Sequence, residues 1–330
     1  MQLNKRHLRL GWHCLVRQVA VGWLLLCMCF VTTGATCARK RTISEFAPPV
    51  VFSQTPTLEQ LMTHANQSLA IQRIESNTLT ISSPDIMAKL SGNMQWERPH
   101  NFSLQAYIGS RVLGTALAAG SNSEIFWLQT QTPPPATLYY ARHDDFETQP
   151  GPRRILPVSP LWLREALGIV EFDPTFEHEG PLVRTDGKLE VRSLIPSPRG
   201  SYRRVVIFAP STGAIEETVL YDQSGKLVAR AQQSEHEYYS AIQGSLPHRV
   251  IVQLQPDEGP TMSFTIDVGL YLINQASNAQ TTAFTLPDTT GLSTIDLVQY
   301  NARLGQQTAV PPVYRSSNAE AYPTSLEGYR

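Results

Sequence analysis

Period-two alternation is the feature of this chain that most restricts what it can fold into. From about residue 71 onward, apolar and polar residues exchange places one by one. In MAKLSGNMQW, Ala88, Leu90, Met94 and Trp96 alternate with Lys89, Ser91, Asn93 and Gln95. In NFSLQAYI, Phe102, Leu104, Ala106 and Ile108 alternate with Asn101, Ser103 and Gln105, and TMSFTIDV repeats the pattern with Met262, Phe264, Ile266 and Val268. Successive side chains of a strand point to opposite faces, so each run gives a sheet one apolar and one polar face. SEIFWLQT, TLYYARH, KLEVRSLI, RRVVIFA, EETVLY, KLVARA and HRVIVQLQP read as further strands, punctuated by Pro133-Pro134-Pro135 and by the hairpin signal YDQSGK. The prediction is a mostly β (α+β) chain of about ten antiparallel strands, forming one large curved sheet or a half-open β-barrel.

Two short stretches switch to helical spacing. Thr57 is placed to cap a helix whose Leu58, Leu61, Met62, Ala65 and Leu69 share a face. Ser159, followed by Pro160 at the first helical position and closed by Gly168, predicts a second helix in PVSPLWLREALGI. Such helices would plug the open side of the sheet as lids.

The amino terminus has the layout of an export signal: basic residues up to position 18, an apolar run over 19–31, then small residues over 32–36. All four cysteines (Cys14, Cys27, Cys29 and Cys37) fall in the first 37 residues, so Cys37 has no thiol partner downstream. Gly34-Ala35-Thr36-Cys37 resembles a bacterial lipobox, with departures at Gly34 and Thr36. Three readings stay open: lipid attachment at Cys37, ordinary cleavage near Ala35, or a retained anchor. The organisation this implies is a signal over 1–36, a proline-containing tether over 37–56, a β domain over 57–302 and a polar tail over 303–330.

Removing the four basic residues of the first 36 (Lys5, Arg6, Arg9 and Arg17), which contain no acidic residue, leaves 23 basic against 28 acidic groups. A mildly acidic body lacks the cationic footprint of a nucleic-acid binder. Phosphate-binding glycine loops, HExxH and GxSxG are absent from the sequence, and no cofactor or metal site is expected. His143-Asp144-Asp145 and Glu177-His178-Glu179 read as solvated loops. Glu235-His236-Glu237 would put two carboxylates on one strand face, roughly 6 to 7 Å apart, which is a geometry for acid–base work, although an exposed strand face is the simpler reading. The candidates for lining an apolar cavity are Trp96, Phe102, Leu104, Trp127, Met262, Phe264 and Ile266, with Tyr139 and Tyr140 as further aromatics.

The order of these elements, from TLEQLMTHANQSLAIQRI through PVSPLWLREALGI, ETVLYDQSGKLVARA and HRVIVQLQP to TMSFTIDVGLYLINQ and AFTLPDTTGLSTIDL, resembles the LolA/LolB-like superfamily of outer-membrane lipoprotein-sorting proteins and related envelope lipoproteins. The resemblance spans about residues 57–297. It implies a half-open barrel with a helical lid and an apolar cavity for acyl chains, and no covalent chemistry. The partners it implies are lipid or the acyl chains of lipoproteins, the membrane through a lipid anchor, and other envelope proteins. By the same kind of resemblance, Ala38 after the cysteine places the protein at the outer membrane, facing the periplasm. The alternative is a structural or interaction module of the envelope whose core is filled by its own side chains.

Overall fold

The computed structural model describes residues 46–84, 86–109, 114–131, 134–275 and 281–308. The signal-like segment, Cys37 and the chain after 308 lie outside them. Phe46–Ser53 is already tied to the domain: Val51 and Phe52 donate their N–H groups to Ser211 O, and Tyr238 N–H donates to Phe46 O.

Thr57 opens α1 (Leu58–Ala65) with a reciprocal capping box. Thr57 Oγ1 accepts the Gln60 N–H at 3.2 Å, and Gln60 Oε1 accepts the Thr57 N–H at 2.8 Å. The helix is shorter than its spacing predicts. Asn66–Ala70 tightens into a 3-10 turn, which carries Leu69 to the surface while Leu61 and Ala65 stay buried. Asn66 explains the change, because its side chain clasps Phe172, donating to Phe172 O and accepting from Phe172 N–H.

The described residues contain fifteen strands, five more than predicted. The first half comprises β1 (Arg73–Ser83), β2 (Ile86–Glu97), β3 (Asn101–Ile108), β4 (Thr115–Ser121), β5 (Ile125–Thr130) and β6 (Thr137–Arg142). The second comprises β7 (Glu177–Val183), β8 (Leu189–Ile195), β9 (Tyr202–Phe208), β10 (Ile215–Tyr221), β11 (Leu227–Tyr239), β12 (Gly244–Leu254) and β13 (Met262–Val268). Two short strands, β14 (Leu272–Ile273) and β15 (Ser293–Asp296), complete the set. All belong to one sheet in the order β15-β6-β5-β4-β3-β2-β1-β13-β12-β11-β10-β9-β8-β7, with β14 pairing off β1. Pairing is antiparallel throughout except where β15 lies parallel on β6. The β10–β11 hairpin turns where the sequence predicts: Asp222 Oδ1 accepts from Ser224 N, Ser224 Oγ and Lys226 N, and Gly225 takes the positive φ of 84°.

Two meanders thus meet at the β1–β13 seam, and β6 and β7 lie toward opposite ends. The chain between them must cross the sheet, and it does so over one apolar face. It runs through α2 (His143–Thr148), a 3-10 turn at Pro160–Trp162 and α3 (Leu163–Ala166). The predicted helix at 159–168 is therefore one 3-10 turn and one α turn, capped by Ser159 Oγ and closed at Gly168 with φ 80°. The main apolar cluster lies between the sheet and this crossover, where Trp96, Leu104, Val250 and Ile266 meet Ala166, Leu167 and Ile169. A second cluster gathers Leu61, Phe172, Val206 and Phe208 under α1. A third joins Phe126, Phe146 and Leu156 to Leu297 of α4 (Leu297–Thr308), a helix that continues six residues past the expected boundary at 302. Val205, Ile207 and Val219 form a small cluster of their own on the other face.

The crossover is fastened by a buried arginine. Arg204 of β9 donates Nη2–H to Glu171 O at 2.8 Å, meets Glu165 Oε1 at 3.3 Å through Nη1, and lies 4.8 Å over the Phe172 ring. Removing the guanidinium strands a buried carbonyl and a largely covered carboxylate. Arg204→Met is expected to lower stability by about 1–3 kcal/mol, read from urea unfolding, and a change within error would contradict the fastening role.

Candidate functional site

The crossover-covered face is the candidate site, and strand register decides which predicted residues reach it. Trp96 stands opposite Phe102, Met94 opposite Leu104, and Ile266 opposite Ile81, so Trp96, Phe102, Leu104 and Ile266 share that face. Each is at most 3% exposed and packs in the main cluster. Met262 and Phe264 lie on the same face and are half-buried against it. Trp127 does not join them. It stands opposite Gly120, which stands opposite Ser103, whereas Phe102 leads through Ser121 to Phe126. Trp127 is therefore buried on the other face, its indole lying so close over Gly120 that a Cβ at 120 would overlap it. Tyr139 packs with the Phe126 cluster, while Tyr140 is the direct neighbour of Trp127.

The crossover has two differently attached halves. Residues 165–172 are held by polar anchors. Gln233 Nε2 donates to Ala166 O at 3.1 Å, Ser68 Oγ donates to Val170 O at 3.0 Å, and Arg204 and Asn66 make the bonds already described. The 3-10 turn at residues 160–162 instead lies over β4 and β5, and the residues around it, from Val158 to Leu163, join the main cluster through apolar side chains. Here Val158, Leu161, Trp162 and Leu163 are half-buried, and so are the sheet residues on the same cluster, Ala116, Leu117, Leu128, Met262 and Phe264. The result is an apolar seam, exposed in part along both of its lips.

The three polar motifs serve the fold. His143 starts α2 instead of ending in a loop; its Nε2 lies 3.1 Å from Ser121 Oγ and 3.0 Å from Asn122 O, and burial lowers its pKa. Glu177–Glu179 lies on β7, also not a loop, with His178 Nε2 donating to Asp173 O at 2.7 Å and Nδ1 2.8 Å from Ser193 Oγ. At Glu235-His236-Glu237, Glu235 takes φ 56° and pairs with Arg249 at 3.0 Å, while Glu237 Oε2 lies 3.3 Å from His248 Nε2. The two carboxylates thus answer to different neighbours. Between them His236 Nε2 donates to Ile215 O at 2.7 Å. Among the described residues no group of three His, Cys, Asp or Glu is placed to hold a metal ion.

Besides Arg204, two buried groups were missed by sequence reasoning. Arg153 is inside the domain, donating to Pro157 O and Phe146 O and standing 3.8 Å over the Phe146 ring; burial lowers its pKa. His248 forms a buried knot with two tyrosines: its Nδ1 donates to Val268 O at 2.6 Å and its Nε2 lies 2.7 Å from Tyr239 Oη. Tyr271 donates to Pro247 O at 2.8 Å, and burial pushes its phenol well above the ordinary value. The signal for both was weak: a charged residue in a proline-rich loop and a histidine beside a proline.

No protein-family model matches the chain, and no curated protein matches it. Solved structures similar to it include a domain described as an outer membrane lipoprotein-sorting protein from Vibrio parahaemolyticus, at 11% identity and TM-score 0.45, covering 69% of this chain and 97% of that one. A DUF1329 family protein from Desulfovibrio piger is similar at 13% identity and TM-score 0.45, covering 68% and 95%. A LolA superfamily protein from Nitrosomonas europaea is similar at 12% identity and TM-score 0.42, covering 70% and 98%. No helix among the described residues is long and apolar enough to cross a membrane.

Burial holds the pKa of His236 below its ordinary 6.5, as it does for His64 and His143. The unfolded chain then binds protons more readily, so the stability these neutral rings provide is complete above about pH 6.5 and declines as pH falls below it. Thermal unfolding between about pH 7.5 and 5 is expected to show a falling Tm, with a shallower slope in His236→Gln, which keeps a neutral donor for Ile215 O. An unchanged slope would refute the assignment.

Proposed function

We propose that this chain is a non-catalytic binding protein of the bacterial envelope that takes an acyl chain, of a lipid or a lipoprotein, between the sheet and residues 158–163. The carrying observation is the apolar seam, with half-exposed side chains on both lips: Leu161, Trp162 and Leu163 on the crossover, and Leu117, Met262 and Phe264 on the sheet. Each methylene that leaves water contributes roughly 0.8 kcal/mol, so a seam of this kind can draw a chain out of a leaflet without a catalytic group. The anchored half at 165–172 stays in place while the apolar half yields. The order of sequence elements that resembles the LolA/LolB-like superfamily supports the same ligand class and a part in lipoprotein sorting or outer-membrane maintenance. Cys37 is the proposed lipid attachment site, which tethers the domain to the outer membrane on its periplasmic side.

A fluorescent fatty acid titrated into the full chain is expected to bind saturably. Phe264→Arg, on the sheet lip, is expected to weaken that binding about tenfold or more while leaving the fold intact by circular dichroism. Absence of uptake by the natural protein would sink the reading. The intact mass of membrane-extracted protein should carry acyl chains on Cys37, lost in Cys37→Ala; an unmodified mass would remove the anchor.

A second reading is favoured by the burial of Trp96, Phe102, Leu104 and Ile266 beneath Ala166–Ile169. A filled interior of this kind suits a structural or interaction module that binds envelope proteins and takes no lipid. Failure of fatty-acid uptake together with specific capture of envelope proteins would select it.

A further inference from the structure

The chain enters the domain as a strap laid across one end of the sheet. Tyr238 N–H, at the end of β11, donates to Phe46 O, and Val51 and Phe52 N–H both donate to Ser211 O in the β9–β10 turn, at 2.8 and 2.9 Å. The Phe52 ring stands edge-on to the His64 ring of α1, with centroids 5.5 Å apart. Ala214 and Ile215 after the β9–β10 turn share a small cleft with His64, and Ile242 and Gly244 of the β11–β12 turn line it too. Strap and turns are therefore neighbours.

The strap holds apolar side chains outward. Val50 is 72% exposed, and Phe46 and Val51 are 44% exposed. Apolar residues scattered singly over a surface are ordinary, but these fall within one short segment pinned near both ends. Their surroundings carry no charge. No Asp, Glu, Lys or Arg occurs from Phe46 to Leu58, from Ala209 to Ile215 or from Tyr238 to His248, in a chain that is 17% charged. Charge resumes at Glu59, Glu216, Glu237 and Arg249. The backbone is also suited to leaving water. Pro48 and Pro49 have no N–H, and the N–H groups of Val51 and Phe52 are spent on Ser211 O, so few donors lose a water partner in an apolar medium.

The chain ahead of the strap indicates what covers this face. From Cys37 to Phe46 it spans about 30 Å when fully extended, and Arg39-Lys40-Arg41 lies between them. Basic residues beside an apolar segment suit anionic lipid head groups. We propose that the strap end of the domain docks on a lipid bilayer, with Val50, Val51 and Phe46 at the boundary between head groups and acyl chains. The uncharged β9–β10 and β11–β12 turns then rest among the head groups. This docking rests on the envelope location and the Cys37 anchor proposed above, and not on acyl uptake.

The test separates these readings, since mass reports the anchor, fatty-acid uptake reports the seam, and a probe on the strap reports docking. The full chain is reconstituted into phosphatidylcholine–phosphatidylglycerol vesicles whose acyl chains carry bromine, a short-range quencher of tryptophan. Val50→Trp puts the probe on the strap, and Gln223→Trp puts it in the β10–β11 turn at the other end of β10; both positions are exposed. With the strap about 5–10 Å into the boundary, the indole added at 50 is expected to shift to the blue and lose about half its emission or more. The indole added at 223 is expected to keep its emission. Val51→Glu in the Val50→Trp chain is expected to restore the emission with unchanged circular dichroism, and Phe264→Arg to leave the quenching as it was. No quenching at 50, equal quenching at 50 and 223, or quenching that survives Val51→Glu overturns the proposal. A blue shift at 50 that needs no vesicles and grows with protein concentration assigns the face to a second copy and overturns it as well.

Discussion

The connection from β6 to β7 has to travel the width of the sheet, and the buried arginines decide how. Arg204 reaches up from β9 to grip Glu165 and Glu171 O, and Arg153 folds the preceding loop around its own guanidinium by binding Phe146 O and Pro157 O. A guanidinium removed from water is costly unless its donors are met. Here carbonyls, carboxylates and an aromatic ring engage the Nη groups and the planar face in each case, with Nε left unpaired. Once the crossover is fixed at these two points, its apolar residues have one place to go, the face of Trp96, Phe102 and Ile266. The interior and the position of the seam follow from that route.

Much of the sheet could be read from alternation, because its strands have one apolar and one polar face. The strands that escaped did so for identifiable reasons. β4, TALAAGS, is built of small residues whose two sides differ little in hydropathy, and β7, EHEGPLV, carries a glycine and a proline that read as a loop. β15 has four residues and pairs in parallel with a strand far away in sequence, which no local pattern announces. β9 reads as a strand in RRVVIFA even though it lacks alternation, which is lost because Val205 and Ile207 form an apolar patch behind Val206 and Phe208.

The candidate site was legible to the level of a face but not of every residue. Phe126 and Trp127 are adjacent and both apolar, and only the chain of pairings through Ser121 and Gly120 tells which of them looks inward. Arg153 and Arg204 were silent because charge in a sequence reads as exposure, and several of their partners lie tens of residues away or on backbone atoms. The acidic and histidine clusters read in the sequence as loops or an exposed strand face. The structure places them in regular elements where each histidine ring, and Glu235 and Glu237, is matched to a nearby structural group.

The β7 edge carries a consequence beyond this domain. A long sheet with an open margin invites other chains to extend it. Pro181 has no N–H to offer at that margin, and Glu177 and Glu179 add charge to the same strand. An incoming segment would find an interrupted ladder flanked by charged side chains where it needs a continuous template. The composition that hid β7 from sequence reading is thus also what lets so wide a sheet stop.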